Sequence, residues 1–119
     1  MIDHVVLRVA DLDRSGAFYD AFLRPIGWRR CLESTHRIGW GLVDAVLIVQ
    51  GPSDSPAPDF GHLCIAARGV VAVRAAWESA IEAGALDDGP PAQRPELGPS
   101  YYSAFLLDPD GYRIEVRSA

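Results

Sequence analysis

Several features are absent from this chain of 119 residues, and each absence excludes a class of protein. The sequence contains no run of about 18 apolar residues, so no transmembrane helix and no membrane partner are expected. The N-terminus leads directly into a strand-like segment without a signal peptide, which predicts a cytoplasmic protein. The basic residues form no cluster and the net charge is −5, so we expect no nucleic-acid partner.

Cysteine is also scarce. The two cysteines, Cys31 and Cys64, stand singly in apolar strand-like segments, so they form neither a CxxC pair nor a disulfide framework. We expect both to be reduced and packed as small hydrophobic side chains. Cys64 lies two residues after His62, which would place both side chains on one face of a strand.

The amino-acid composition of the chain fits one globular domain with its own hydrophobic core. The apolar fraction is 49% and the charged fraction is 23%, both ordinary for a soluble protein. Asp11 is a suitable cap for a helix over about 12–23, and the apolar spacing predicts a second helix over about 70–83. Alternating apolar residues predict strands around these helices.

The order of these elements indicates an internal repeat. Module one, about 1–50, has the order strand, helix and three strands; 51–59 is a proline-rich linker; and module two, 60–119, repeats the order. We therefore predict an α+β domain of two βαβββ modules that form a curved mixed sheet around a cavity. The helices would cover its convex face. Such a module cannot cover both faces of its sheet alone, so the modules would pair within one chain or across a homodimer, and we predict the homodimer.

The last strand shows the clearest alternation in the chain. Tyr112, Ile114 and Val116 face one way, and Arg113, Glu115 and Arg117 face the other. Taken alone, Glu115 is an ion-pair partner for a neighbouring arginine. The turn over 108–111 decides its neighbours: a three-residue loop would put Phe105, Ser103 and Tyr101 beside Glu115, and a two-residue turn would put Tyr102, Ala104 and Leu106 there.

Three stretches together resemble the vicinal oxygen chelate superfamily, which includes glyoxalase I, fosfomycin-resistance transferases, extradiol dioxygenases and bleomycin-resistance proteins. They are Ile2 to Ser15 with Phe18-Tyr19, Gly61 to Ile65, and Phe105 to Val116. In that family the first and last strand of each module supply metal ligands. The resemblance therefore implies His4, His62 and Glu115 as ligands of one divalent ion (Fe, Mn, Ni or Zn). The fourth ligand position falls on Ile48, which cannot bind a metal.

The resemblance also implies a function. Two imidazoles and one carboxylate leave open coordination positions, at which a small-molecule substrate with two adjacent oxygens would chelate. The reaction stays open among lyase or isomerase chemistry, ring-cleaving dioxygenation and thiol addition, and Ile48 disfavours the glyoxalase I reaction because it removes a carboxylate. The alternative is a metal-free protein that sequesters an antibiotic or aromatic ligand. The substrate-binding candidates are Arg8, Trp40, Gln50, Tyr101, Phe105 and Arg113, although core packing is the favoured role for Trp40.

Overall fold

The computed structural model describes all 119 residues of the chain. The first half contains β1 (Val5–Arg8), α1 (Leu12–Leu23), a short 3-10 helix (Arg24–Ile26), β2 (Arg29–Glu33), β3 (Arg37–Gly41) and β4 (Leu47–Gln50). The second half contains β5 (Leu63–Ala67), α2 (Val70–Glu82), β6 (Leu86–Gln93), β7 (Tyr102–Leu107) and β8 (Arg113–Ser118). No regular element lies between β4 and β5, where the sequence predicts the linker.

The strands form two four-stranded mixed sheets of the same topology. The strand order is β1-β4-β3-β2 in the first sheet and β5-β8-β7-β6 in the second. In each sheet the first strand of the module pairs in parallel with the last, and the other pairs are antiparallel. The predicted α+β fold of two βαβββ modules is confirmed. The sheet is divided in two, because β1 and β5 are edge strands with no ladder between them.

The two helices pack against each other and against one face of each sheet. The residues between them form the core, with Trp40, Tyr19, Phe18, Phe22 and Leu23 among the largest fully buried side chains. Each sheet thus has one face against helices and one helix-free face. The alternation of β-strand side chains decides which residues point to each face.

Helix α1 begins where the sequence predicts. The Asp11 carboxylate accepts a hydrogen bond from the backbone N–H of Arg14 at 3.0 Å, which satisfies one of the free donors of the first turn. Gly16 lies inside this helix because a side chain there would collide: a Cβ would be 2.8 Å from both Arg30 Nη2 and Ile38 Cδ1. The glycine allows β2 and β3 to approach the helix closely.

The turn that leads into β8 also joins the two modules. Gly111 has a left-handed φ of 95° and its N–H bonds to the Asp108 carbonyl, as the turn sequence predicts. The Asp108 carboxylate accepts a 2.6 Å hydrogen bond from Tyr19 of α1, and Asp110 accepts a 2.8 Å bond from the backbone N–H of Ala10. The modules of one chain are therefore packed together through this turn.

Two further observations concern the helices and the cysteines. No helix is both long enough and apolar enough to cross a membrane. Both cysteines are free, but the expectation that they pack in the core is wrong, because both are exposed. Cys31 lies at a register shift of edge strand β2, and Cys64 points to the helix-free face of edge strand β5.

Candidate functional site

Glu115 lies at the centre of the helix-free face of the second sheet. The strand register places it between Cys64 of β5 and Phe105 of β7. This register corresponds to the first of the two turn alternatives, so Phe105 rather than Leu106 shares the face of Glu115. The Glu115 side chain is only 3% exposed, which makes it a buried charge that needs hydrogen-bonding partners.

Two side chains supply those partners. His62, in the segment that enters β5, places Nε2 at 2.9 Å from Glu115 Oε1. The Tyr101 hydroxyl, just before β7, donates to Glu115 Oε2, also at 2.9 Å. Three residues far apart in the sequence therefore converge because β5 and β7 are the two neighbours of β8 in the sheet.

The surroundings keep Glu115 ionised. Burial alone would raise the pKa of Glu115, but hydrogen bonds from Tyr101, Ser103, His62 and Cys64 outweigh it and hold the pKa below its usual value. Burial, with the hydrogen bond to Glu115, raises the pKa of Tyr101 to about 12, so its phenol remains a donor. Partial burial, with the charge of Glu115, raises the pKa of Cys64 to about 11, so its thiol is not an activated nucleophile.

An aromatic and cationic layer surrounds this group. The ring of Phe105 meets the His62 ring edge-on with centroids 5.3 Å apart. The guanidinium of Arg113 lies 4.4 Å from the Phe105 ring centroid, and that of Arg94 lies 5.0 Å from it. Arg113, one of the substrate-binding candidates, also forms an ion pair with Asp88.

Sequence reasoning gave no site role to Arg94 or Arg117. Arg94 follows the irregular strand β6 and donates to the Ser103 hydroxyl at 3.0 Å. Arg117 stacks over Tyr101, with its guanidinium carbon 4.0 Å from the ring centroid, and its buried Nε has no hydrogen-bond partner. The alternation of β8 already placed Arg117 on the face of Glu115, whereas no local pattern pointed to Arg94.

The remaining predicted metal ligand is in the other module. His4 precedes β1, and its Nδ1 lies 2.6 Å from the carboxylate of Asp3, which leaves Nε2 free. Ile48, at the fourth position, is buried and pairs with Val6 of β1. Within the chain, no three His, Cys, Asp or Glu side chains converge in a way that could hold a metal ion.

The substrate-binding candidates of module one occupy different environments. Gln50 accepts a 2.9 Å hydrogen bond from Arg37, and Arg8 lies beside Gln50 in the sheet. Trp40 is fully buried and does not reach the helix-free face; its ring centroid lies 5.4 Å from that of Tyr19, with the two rings tilted by 45°. The suggested contact of Trp40 with substrate is therefore replaced by the core-packing role, because β3 turns this ring towards α1.

The predicted ligands fit a divalent ion in part. Two ligand atoms at right angles, each about 2.1 Å from an ion, are about 3 Å apart, which matches the separation of His62 Nε2 and Glu115 Oε1. His4 has the free Nε2 and the carboxylate neighbour that are common for metal-binding histidines. The chain thus brings two of the three predicted ligands together and holds the third apart.

No family model matches the sequence, and no curated protein matches it. Solved structures match along nearly the whole chain. A glyoxalase/bleomycin resistance protein from Albidiferax ferrireducens T118 has a TM-score of 0.85 at 25% identity, with 98% of this chain and 96% of that chain covered. A glyoxalase-related enzyme from Fulvimarina pelagi has a TM-score of 0.78 at 20% identity, with 100% and 88% covered.

A third match is a lactoylglutathione lyase from Agrobacterium tumefaciens, with a TM-score of 0.68 at 20% identity and coverage of 100% of this chain and 93% of that chain. These matches confirm the predicted resemblance. The chain has the fold of the vicinal oxygen chelate superfamily, to which the glyoxalase/bleomycin resistance/dioxygenase proteins belong.

Proposed function

We propose that the protein is a metal-dependent enzyme of the glyoxalase/dioxygenase type, acting on a small molecule that chelates one divalent ion (Fe, Mn, Ni or Zn) through adjacent oxygens. The observation that carries this proposal is the 2.9 Å approach of His62 Nε2 to the buried, ionised carboxylate of Glu115. A buried carboxylate with an imidazole beside it is a costly arrangement for stability alone, and it suits a cation.

The third ligand in this proposal is His4 of a second copy of the chain. Support comes from the separation of His4 from the other two ligands and from the bare edges of β1 and β5. Three apolar side chains on or beside β1 are exposed, namely Ile2, Val6 and Val46. A homodimer that covers this edge would bring module one of one chain to module two of the other.

The residues of the chain have distinct roles in this site. The bound ion would stabilise negative charge that develops on the two substrate oxygens. Glu115 and His62 hold the ion, the Tyr101 hydroxyl fixes the second oxygen of Glu115, and the Phe105 ring limits rotation of the His62 imidazole. Ile48 supplies no base where a carboxylate would otherwise stand, so proton-shuttling isomerisation is disfavoured relative to dioxygenation or thiol addition.

A metal titration tests this proposal. Wild-type protein, reconstituted with Fe(II), Mn, Ni or Zn, should bind about one ion per chain, measured by calorimetry and elemental analysis. Glu115→Gln and His62→Ala should weaken binding at least about tenfold while the fold is retained by circular dichroism. Glu78→Gln, an exposed residue of α2, is the matched control and should bind like wild type. Wild-type protein that binds none of the four ions would exclude the proposal.

A metal-free binding protein is the second candidate, and one observation favours it. A cavity of about 260 Å³ lies between the edges of β1 and β5 and is lined only by apolar residues and Cys64, including Trp28, Val5 and Leu63. Such a cavity suits a flat apolar ligand. The metal titration separates the two functions, because a sequestering protein of this kind needs no ion.

A further inference from the structure

Module one carries a row of hydrogen-bond donors on the helix-free face of its sheet. Arg8 of β1 pairs with Gln50 of β4, and Gln50 pairs with Arg37 of β3. The three residues are direct neighbours across three adjacent strands, so their side chains point to the same side. The row lies one pleat, about 7 Å, from Ile48 along β4.

The polar groups of this row are only partly used. Arg37 Nε donates to Gln50 Oε1 at 2.9 Å, and the Gln50 amide nitrogen makes no hydrogen bond within the chain. The Arg8 guanidinium takes part in no hydrogen bond and no ion pair of the structure. Arg37 likewise has no carboxylate within ion-pairing distance. The row therefore presents two cations and an amide donor with no anion to balance them.

The lack of an acid in this row contrasts with the acidic composition of the chain. Acidic residues outnumber basic ones, 16 to 11, yet Arg8 and Arg37 are among the arginines that form no ion pair, unlike Arg14, Arg30 and Arg113. A sheet that places two arginines on either side of one glutamine, without an acid, leaves a local positive potential.

Two of the three donors, Arg8 and Gln50, line an open cavity, and Arg37 is hydrogen-bonded to Gln50 beside it. The volume of the cavity is about 580 Å³, and it is lined by Arg8, His36, Gln50, Gly51, Pro52 and Ser53, none of them acidic. His36 approaches the Gly51 carbonyl through Nδ1 at 3.3 Å, so its ring is turned towards the loop whose residues 51–53 line the cavity. A small polar ligand has room here between the strands and the linker.

We propose that Arg8, Arg37 and Gln50 bind an oxyanion, the carboxylate or phosphate group of a small molecule. A guanidinium presents N–H groups in a fork that matches two oxygens of such a group, and the amide adds a neutral donor. Oxyanion binding in this row does not depend on a metal. Only the further step, that the oxyanion is the remote end of the substrate held at Glu115, rests on the proposed function.

Nuclear magnetic resonance of the ¹⁵N-labelled chain tests this site with two probes, inorganic phosphate and acetate, each titrated against chloride at constant ionic strength. Saturable shifts of the Arg8 and Arg37 Nε–H and Gln50 amide signals support the site, and the tighter probe identifies the group. If chloride produces the same signal shifts as phosphate or acetate, the proposal is overturned.

Variants separate this row from general charge effects. Arg8→Gln and Arg37→Gln should each weaken binding about tenfold, the loss expected for one charge-assisted hydrogen bond. Arg68→Gln, at an exposed arginine outside the row, removes the same charge and should leave binding unchanged; equal weakening by all three would refute a defined site. Because these titrations use metal-free protein, they can succeed where the metal titration fails, and the reverse.

Discussion

At the scale of single residues, the structure shows two buried acids with opposite shifts. Glu115 has its pKa lowered, because the hydrogen bonds it accepts outweigh its burial. Burial raises the pKa of Asp108, although it accepts hydrogen bonds from Tyr19 and from the backbone N–H groups of Asp110 and Tyr112. Glu115 is held ionised among hydrogen-bond donors on the helix-free face of the second sheet, and Asp108 is a structural acceptor between the modules.

The Tyr19–Asp108 pair predicts a loss of stability at high pH. Burial, followed by the charge and hydrogen bond of Asp108, raises the pKa of Tyr19 well above its usual value of 10.0. Because the unfolded chain loses this proton first, the stabilisation is complete below pH 10 and falls as the pH rises further, by up to about 1.4 kcal/mol per pH unit. Urea unfolding of wild type and of the Tyr19→Phe variant, from pH 7 to above pH 10, measures this loss of unfolding free energy.

The Tyr19→Phe variant should differ from wild type in two ways. At pH 7 its free energy of unfolding should be lower by about 1–3 kcal/mol, because Asp108 Oδ2 loses its donor while buried. Above pH 10 its stability should decline less steeply than that of wild type. Parallel curves for the two proteins would show that Tyr19 does not titrate in this range.

At the scale of elements, close packing of α1 on the first sheet depends on one glycine. Arg30 lies over Gly16 because it is held by two hydrogen bonds to Asp20 and one to Glu33, and its guanidinium stacks over Trp40 at 5.9 Å. The network anchors β2, an edge strand, to the helix. The lack of a side chain at position 16 is therefore a packing requirement.

Gly16→Ala tests this requirement. Helix propensity alone would stabilise the variant by about 1 kcal/mol. The new Cβ would meet Arg30 Nη2 and Ile38 Cδ1 at 2.8 Å, and overpacking of this kind costs about 1–3 kcal/mol, so we expect net destabilisation of about 1 kcal/mol. Chemical denaturation of wild type and of the Gly16→Ala variant measures this difference in unfolding free energy. In an Arg30→Ala background the same substitution should cost less, and an equal cost in both backgrounds would contradict the proposed clash.

At the scale of the whole molecule, the question is what covers the edges of β1 and β5. Within the chain the modules are joined by the helices and by the turn over 108–111, so the edges stay unpaired. Unpaired edges with exposed apolar side chains favour association with another chain. The proposed metal site needs such an association, because His4 lies apart from His62 and Glu115.

We expect wild-type protein to be a homodimer at micromolar concentration, measured by light scattering. Val6→Asp places a charge on the exposed edge of β1 and should shift the protein towards monomer and lower its metal stoichiometry. Val71→Asp, at an exposed valine of α2, makes the same change away from this edge and should leave the dimer intact. A monomeric wild type would contradict the proposed completion of the site.

Much of the fold follows from the sequence alone. Helix α1 over Leu12–Leu23, the turn before Gly111 and the repeat of two modules were all predicted, because caps, periodicity and turn residues act over a few positions. The resemblance of three local stretches identified the fold, which the solved structures confirm. The alternation of β8 likewise put Glu115 and Arg117 on one face without any tertiary information.

Only the tertiary structure decided which distant residues meet. Strand pairing brought His62 and Tyr101 to Glu115, divided the sheet between β1 and β5, and aligned Arg8, Gln50 and Arg37 in one row. Packing against α1 keeps Trp40 away from the helix-free face of the first sheet. The physical reason is that register and packing depend on segments far apart in the chain, whereas periodicity and turn chemistry depend on neighbours.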